Sequence, residues 1–309
     1  MICLRACCLM LAAVCLAGAA KASPPVPVTA PDAGSPVKVV ASIHPISALV
    51  REVGGERVEV STIIPPGADP HHFELTPGKA RALHEAKVIM LIGGHFDDWI
   101  LPHAEERETI FMAVRFNEAF TDSLIPLEDS FNPHFWLDPM FAREMTRIIA
   151  VALCTVDFEN CEYYRTRAAQ LIEDLHRLRI TGRERLAASG FTAFVSLHPA
   201  WTYFARRYGI TEVATLEVSH ESEPSARHIA DVIRKMTSGG VKFVVAEEFS
   251  GLGLARSVAG QTGAEVILLD PLGDENKTDR NTYADLMNHN LAVIESSAKH
   301  QEPNPKGPE

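Results

Sequence analysis

Two α/β lobes, each built on a parallel sheet and joined by a long helix, are the fold class that the sequence predicts. Three observations carry it. Apolar, β-branched runs of strand length alternate with helical stretches from Val37 to Gly94; a helical region poor in breakers follows over 139–189; and the strand–helix alternation then resumes to residue 298. Strands separated by helices run parallel, because only a crossover brings the chain back to the same edge of the sheet. Each lobe is therefore Rossmann-like in architecture.

Residues 1–22 have the order of a signal peptide: Arg5, the apolar run "CCLMLAAVCLAGAA", and "AKA" before Ser23 as a small-x-small cleavage site. The apolar run is short for a membrane span, and Ala12, Ala13 and Val14 make a poor context for a lipid anchor on Cys15. The Pro-rich segment 23–36 reads as a linker without a core. An N-terminal lobe is expected over 37–138, with strands in "VKVVASI" (37–43), "VEVSTII" (58–64) and "VIMLIGG" (88–94) and helices in "PISALVREVGG" and "PGKARALHEA". The helical region 139–189 carries Leu171, Leu175, Leu178 and Leu186 at helical spacing, with Gly182 its one internal glycine. A C-terminal lobe is expected over 190–298, with strands in "FTAFVSL", "EVATLEV", "KFVVAEEF" and "EVILLD"; residues 299–309 read as a disordered tail.

Charge and cysteine usage narrow the function. The net charge of −11 becomes −13 once residues 1–22 leave, since Arg5 and Lys21 go and no acidic residue does. An acidic chain without a basic stripe is a poor nucleic-acid binder. Cleavage also leaves only Cys154 and Cys161, and one pair in an exported chain points to a structural disulfide rather than free thiols. On one continuous helix their Cα atoms would sit about 10 Å apart, beyond bridging reach. The intervening "TVDFEN" must therefore turn, with a new helix starting near Asp157 or Asn160.

Most of the 13 histidines have bland settings: His84, His176, His228 and His300 lie in polar helical or tail sequence, and His44, His103 and His289 are ambiguous. Three differ. His71 in "DPHHFELTP" follows the strand "VEVSTII", His134 in "NPHFWLDP" precedes a helix, and His198 in "SLHPAWTYF" ends the strand "FTAFVSL". Loops at the carboxyl ends of parallel strands form the ligand crevice of such sheets. Two lobes facing each other would bring all three imidazoles to one interlobe cleft, as a nitrogen-rich metal site. His72, the neighbour of His71, has the bland reading, either exposed or packed behind the site as a support.

The motifs "VVASIHPISALVREVGG", "IIPPGADPHHFELTP", "GGHFDDW", "NPHFWLDP", "SLHPAWTYFARRYGI", "AEEFSGLGLARSVAGQTGAEVILLDPLG" and "TYADLMNHNL" stand in a specific order over Val37 to about Ala298. In that order the chain resembles the zinc/manganese group of metal-binding solute receptors of bacterial ABC uptake systems. The resemblance implies metal ligands at His71, His134 and His198, a periplasmic, monomeric, non-enzymatic receptor, and a membrane permease with its ATPase as partners. It also implies an acidic fourth ligand near the last helix, where this chain has Asn281, with Asp279 two residues upstream; Asn281, Asp279 and water are alternatives there. The histidine-rich loop common in zinc-type members is missing, since "TDSLIPLEDS" holds no histidine.

Three neutral imidazoles favour zinc over manganese, which takes more oxygen ligands, and "LDPLG" resembles the zinc-type members. A zinc hydrolase is the rival class, with Glu74 as a general base near His71; a receptor of the same architecture for an organic ligand, such as an iron chelate or a cobalamin, is a third. The long helical region implies a stiff link between lobes and limited closure. Because imidazole ligates only when neutral, metal affinity is expected to fall below about pH 6.5.

Overall fold

The computed structural model describes residues 34–70, 73–104, 108–116, 118–127, 130–217, 224–248 and 251–300. The expected signal peptide, nearly all of the linker, most of the tail, and both His71 and His72 lie outside them. Among the described residues no helix is long and apolar enough to cross a membrane.

The first sheet contains β1 (Val37–Ala41), β2 (Val58–Thr62), β3 (Val88–Leu91) and β4 (Glu108–Phe111) in the order β2-β1-β3-β4, all parallel. Helix α1 (His44–Gly54) crosses from β1 to β2, and α2 (Pro77–Glu85) from β2 to β3. Val39 of β1 lies opposite Val60 of β2 and Val88 of β3, so the central strand pairs on both edges. All four residues of β3 are buried, which is why its sequence is a continuous apolar run rather than an alternation. Strand β4 was not legible: only Ile110 of "ETIF" is buried, so it carries no strand-length apolar signal. The other strands end two to three residues before the apolar runs do. Ile43, Ile63 and Ile92 continue into the core past the regular ladder, so hydrophobicity there marks burial rather than strand length.

After a short helix, α3 (Glu118–Thr121), the chain enters α4 (Pro139–Val156) and α5 (Cys161–Ser189). Asp138 caps α4 by accepting the Met140 N–H at 2.8 Å, and Pro139 occupies the first turn, where its missing N–H costs nothing. Asp157 interrupts the two helices, and a single 3₁₀ turn over Phe158–Asn160 reverses the chain. That turn brings Cys154 and Cys161 to a Cα separation of 4.5 Å and a disulfide joins them. The expected turn and pairing are both present.

Helix α5 has 29 residues, about 44 Å at 1.5 Å per residue. Tyr164, Ala168, Leu171, Leu175, Leu178, Gly182 and Leu186 form one buried stripe at spacings of three and four. It packs against α1 and α4 on the side of the first lobe, and against α6 (Thr202–Tyr208) and α9 (Tyr283–His300) on the side of the second. Gly182 allows this contact: a Cβ there would lie 2.7 Å from the Tyr208 ring and 3.1 Å from Leu291. Next to it, Arg185 donates to both carboxylate oxygens of Glu295, at 2.7 and 2.9 Å.

The second sheet repeats the first: β5 (Ala193–Ser196), β6 (Thr211–Thr215), β7 (Phe243–Ala246) and β8 (Glu265–Leu268) in the order β6-β5-β7-β8, all parallel, with α7 (Ala226–Gly239) and α8 (Leu252–Thr262) as crossovers. One apolar core runs from the first sheet through α4 and α5 to Phe191, Phe194, Tyr203, Tyr283 and Leu291 of the second half; a smaller one, with Val195, Val232 and Met236, fills the far face of the second sheet. In each sheet the strand order reverses beside the first strand, between β1 and β3 and between β5 and β7. That is where open parallel sheets hold ligands.

Candidate metal centre

At the switch point of the second sheet, β5 and β7 are neighbours; His198 lies two residues past the end of β5 and Glu247 one past the end of β7. His198 has extended backbone (φ −131°, ψ 166°) and is followed by the 3₁₀ turn Pro199–Trp201. Its ring is 3% exposed, and Nδ1 donates to Oε2 of Glu247 at 3.1 Å. Glu247 is fully buried, and its other oxygen accepts the Trp201 indole N–H at 2.7 Å. An indole nitrogen only donates, so the carboxylate is held from both sides. Burial alone depresses the His198 pKa, but the charge and hydrogen bond of Glu247, with Glu217 and Asp69 behind it, outweigh burial and leave it above the ordinary 6.5.

His134 begins a 3₁₀ turn over His134–Leu137, itself 3% exposed, and nearly every residue of "NPHFWLDP" has an assignable task. Asn132 Oδ1 accepts both the backbone N–H of His134 (3.0 Å) and its ring Nδ1 (2.9 Å). Phe135 and Leu137 fill the core. Trp136 donates its indole N–H to the carbonyl of Pro271 in the second lobe at 2.8 Å. Asp138 caps α4 and also takes Arg207 Nε at 2.6 Å; burial nonetheless pushes its pKa up.

The motif "GGHFDDW" supplies the apolar wall. Asp97 is fully buried at the end of β3 and accepts the N–H groups of Ile92 (2.7 Å) and Gly93 (2.9 Å), while burial lifts its pKa to about 6. The resulting tight turn needs φ +66° at Gly94, where a Cβ would also run into the Phe131 ring. It sets Phe96 against Trp136 (centroids 5.3 Å) and His134 (6.3 Å).

The two described histidines of the expected trio are thereby brought together. Their ring centroids lie 5.2 Å apart with 66° between the planes. Two imidazoles on one tetrahedral zinc, with zinc–nitrogen bonds of about 2.0–2.1 Å, hold their ring centres roughly 5 Å apart. In both rings Nδ1 is tied back to the protein, which leaves Nε2 as the nitrogen for coordination. His71 lies outside the described residues, and among those residues no group of three or more ligand-type side chains stands complete.

Of the residues considered for a fourth donor, Asp279 has other engagements. Asp279 is 55% exposed and pairs with His289 (3.1 Å) and Arg280 (3.4 Å). Asn281 is half-buried. His44, ambiguous in sequence, is buried beneath the loop 270–280, and its pKa is depressed first by burial and then by Arg51. Glu74, considered as a general base, is exposed. Sequence reasoning missed Asn132, Glu247 and Phe96 as supports. Glu247 had a readable signal, an acidic residue directly after the fully apolar run "FVVA" at a strand's carboxyl end.

The sequence profile of the family described as ZnuA, zinc-uptake complex component A periplasmic, matches residues 39–297. The chain is 24% identical over 310 residues to the high-affinity zinc uptake system protein ZnuA of Bacillus subtilis (strain 168), covering 94% of this chain and 95% of that one. The crystal structure of a ZnuA deletion mutant with zinc bound matches with a TM-score of 0.75 at 27% identity, over 88% of this chain and 100% of that chain. The manganese-bound periplasmic metal binding protein of Candidatus Liberibacter asiaticus matches at TM-score 0.73 and 21% identity, over 84% of this chain and 98% of that chain, a likeness of fold alone. Paired parallel sheets, a spanning helix and a profile match over nearly the whole described chain lead to one conclusion: the chain belongs to the ZnuA family of periplasmic metal-binding receptors of ABC-type uptake systems, a non-catalytic family.

Proposed function

We propose that the protein captures zinc in the periplasm through His71, His134 and His198 and delivers it to a membrane permease driven by a cytoplasmic ATPase. The observation that carries this reading is the pair of buried imidazoles 5.2 Å apart, each with Nδ1 engaged by its own lobe. Neutral nitrogen donors at tetrahedral spacing suit zinc; manganese asks for more oxygen. The zinc uptake named for the Bacillus subtilis relative supports the same choice. Residues 1–22 serve as the export signal in this reading, 37–138 and 190–298 as the two lobes, and 139–189 as the helical connection. A zinc-loaded crystal structure with an anomalous map at the zinc edge tests the ligand set directly. Competition titration should show zinc displacing manganese; retention of manganese in preference to zinc would overturn the choice of metal.

A further inference from the structure

Asn132 is 2% exposed and bonds at every polar position. Its Oδ1 receives the His134 backbone N–H and ring Nδ1, while its Nδ2 donates to the carbonyl of Pro199 at 2.7 Å, one residue past His198. Its own N–H reaches the Ile125 carbonyl at 2.8 Å, and its carbonyl accepts the Tyr203 hydroxyl at 2.9 Å. Two of the amide's partners fix its orientation. A backbone N–H can only donate and the Pro199 carbonyl can only accept, so the oxygen must face His134 and the nitrogen Pro199. It follows that His134 Nδ1 carries a proton and Nε2 a lone pair before any metal arrives.

We propose that Asn132 is a positioning residue that locks the His134 tautomer and, through Pro199, sets the separation of His134 from His198, so that the pair stands ready as a two-nitrogen receiver for a divalent cation. This rests on the reading of His134 and His198 as metal ligands. Asparagine suits the task because one small side chain presents an acceptor to the first-lobe ring and a donor to the second-lobe loop. Aspartate retains the acceptor and loses the donor; alanine loses both. Preorganised rings meet the ion without a ring flip, and partners that orient ligand histidines are worth about 10- to 100-fold in metal affinity.

The test uses the full mature chain. Nitrogen-15 NMR of the metal-free protein should show His134 as the Nδ1–H form in wild type and in N132D, and as a mixture with the Nε2–H form in N132A. Zinc affinity, by chelator competition, should fall about 10- to 100-fold in N132A, and the visible absorption of the cobalt-substituted protein should change with it. A purely structural role would lower the melting temperature without moving the tautomer. An N132A protein that keeps the Nδ1–H tautomer and binds zinc within twofold of wild type overturns the proposal. If N132A does not fold, N132D decides: retention of the Nδ1–H form with faster zinc release upholds the proposal, and loss of that form overturns it. H134A and H198A tell the two failures apart. If both bind zinc as wild type does, the ligand reading has failed, while the tautomer result still reports on Asn132.

Discussion

Each imidazole of the pair leans on one residue of different chemistry, neutral Asn132 for His134 and the carboxylate Glu247 for His198. The difference matters for pH. Since Glu247 holds the His198 pKa above 6.5, protons compete for that nitrogen at a higher pH than an ordinary imidazole would allow. Zinc affinity should therefore begin to weaken above pH 6.5 and continue to fall as the pH drops. E247Q removes the charge that raises the pKa, so the onset should move to lower pH even though the ring is less firmly held. Chelator competition between pH 5 and 8 measures both, and an unchanged onset in E247Q would refute the role given to the carboxylate. H134A and H198A should each weaken zinc binding by at least tenfold.

Among the elements, α5 and its disulfide invite separate tests. Cys154 and Cys161 close a short loop at the start of α5, far along the helix from Gly182. The double serine variant should lose about 2–3 kcal/mol of stability and bind zinc as before, by urea unfolding and titration respectively. G182L forces a side chain into the Tyr208–Leu291 contact and should cost about 1–3 kcal/mol, or more if the helices separate. Most elements were legible because their burial is one-sided or complete: the α5 leucines mark its stripe, and "FVVA" and "VIML" are strands buried throughout. The edge strand β4 was illegible because a single buried isoleucine carries it. Of the site, the juxtaposition of His134 and His198 was legible from their loops, while His71 lies outside the described residues. The supports of that pair were not legible, because the Asn132–Pro199 and His198–Glu247 contacts join residues 67 and 49 positions apart.

At the scale of the whole molecule, Glu52 lies where α1 of the first lobe meets the start of α9. Its carboxylate accepts the Tyr283 N–H at 3.4 Å, and burial raises its pKa from 4.5 to about 7. A carboxyl group with a raised folded-state pKa contributes stability that is complete below about pH 4.5 and is lost as the pH rises through about 7. The metal-free protein should therefore lose up to a few kcal/mol relative to E52Q across that window. Denaturant melts of both proteins at pH 4.5 and 8 check the sign; equal shifts in the two would refute it.

The apolar core that runs unbroken from the first sheet through α5 into α9 has a further consequence, in cooperativity. Although the far face of the second sheet has a small core of its own, the main interior is shared: cutting the chain after Ser189 would strip α5 of its partners Tyr208 and Leu291 and leave Leu178, Gly182 and Leu186 facing water. Two lobes in architecture should thus behave as one unit on heating. Scanning calorimetry of the metal-free protein should record a single heat-absorption peak whose calorimetric and van't Hoff enthalpies agree, and residues 34–189 expressed alone should aggregate rather than fold.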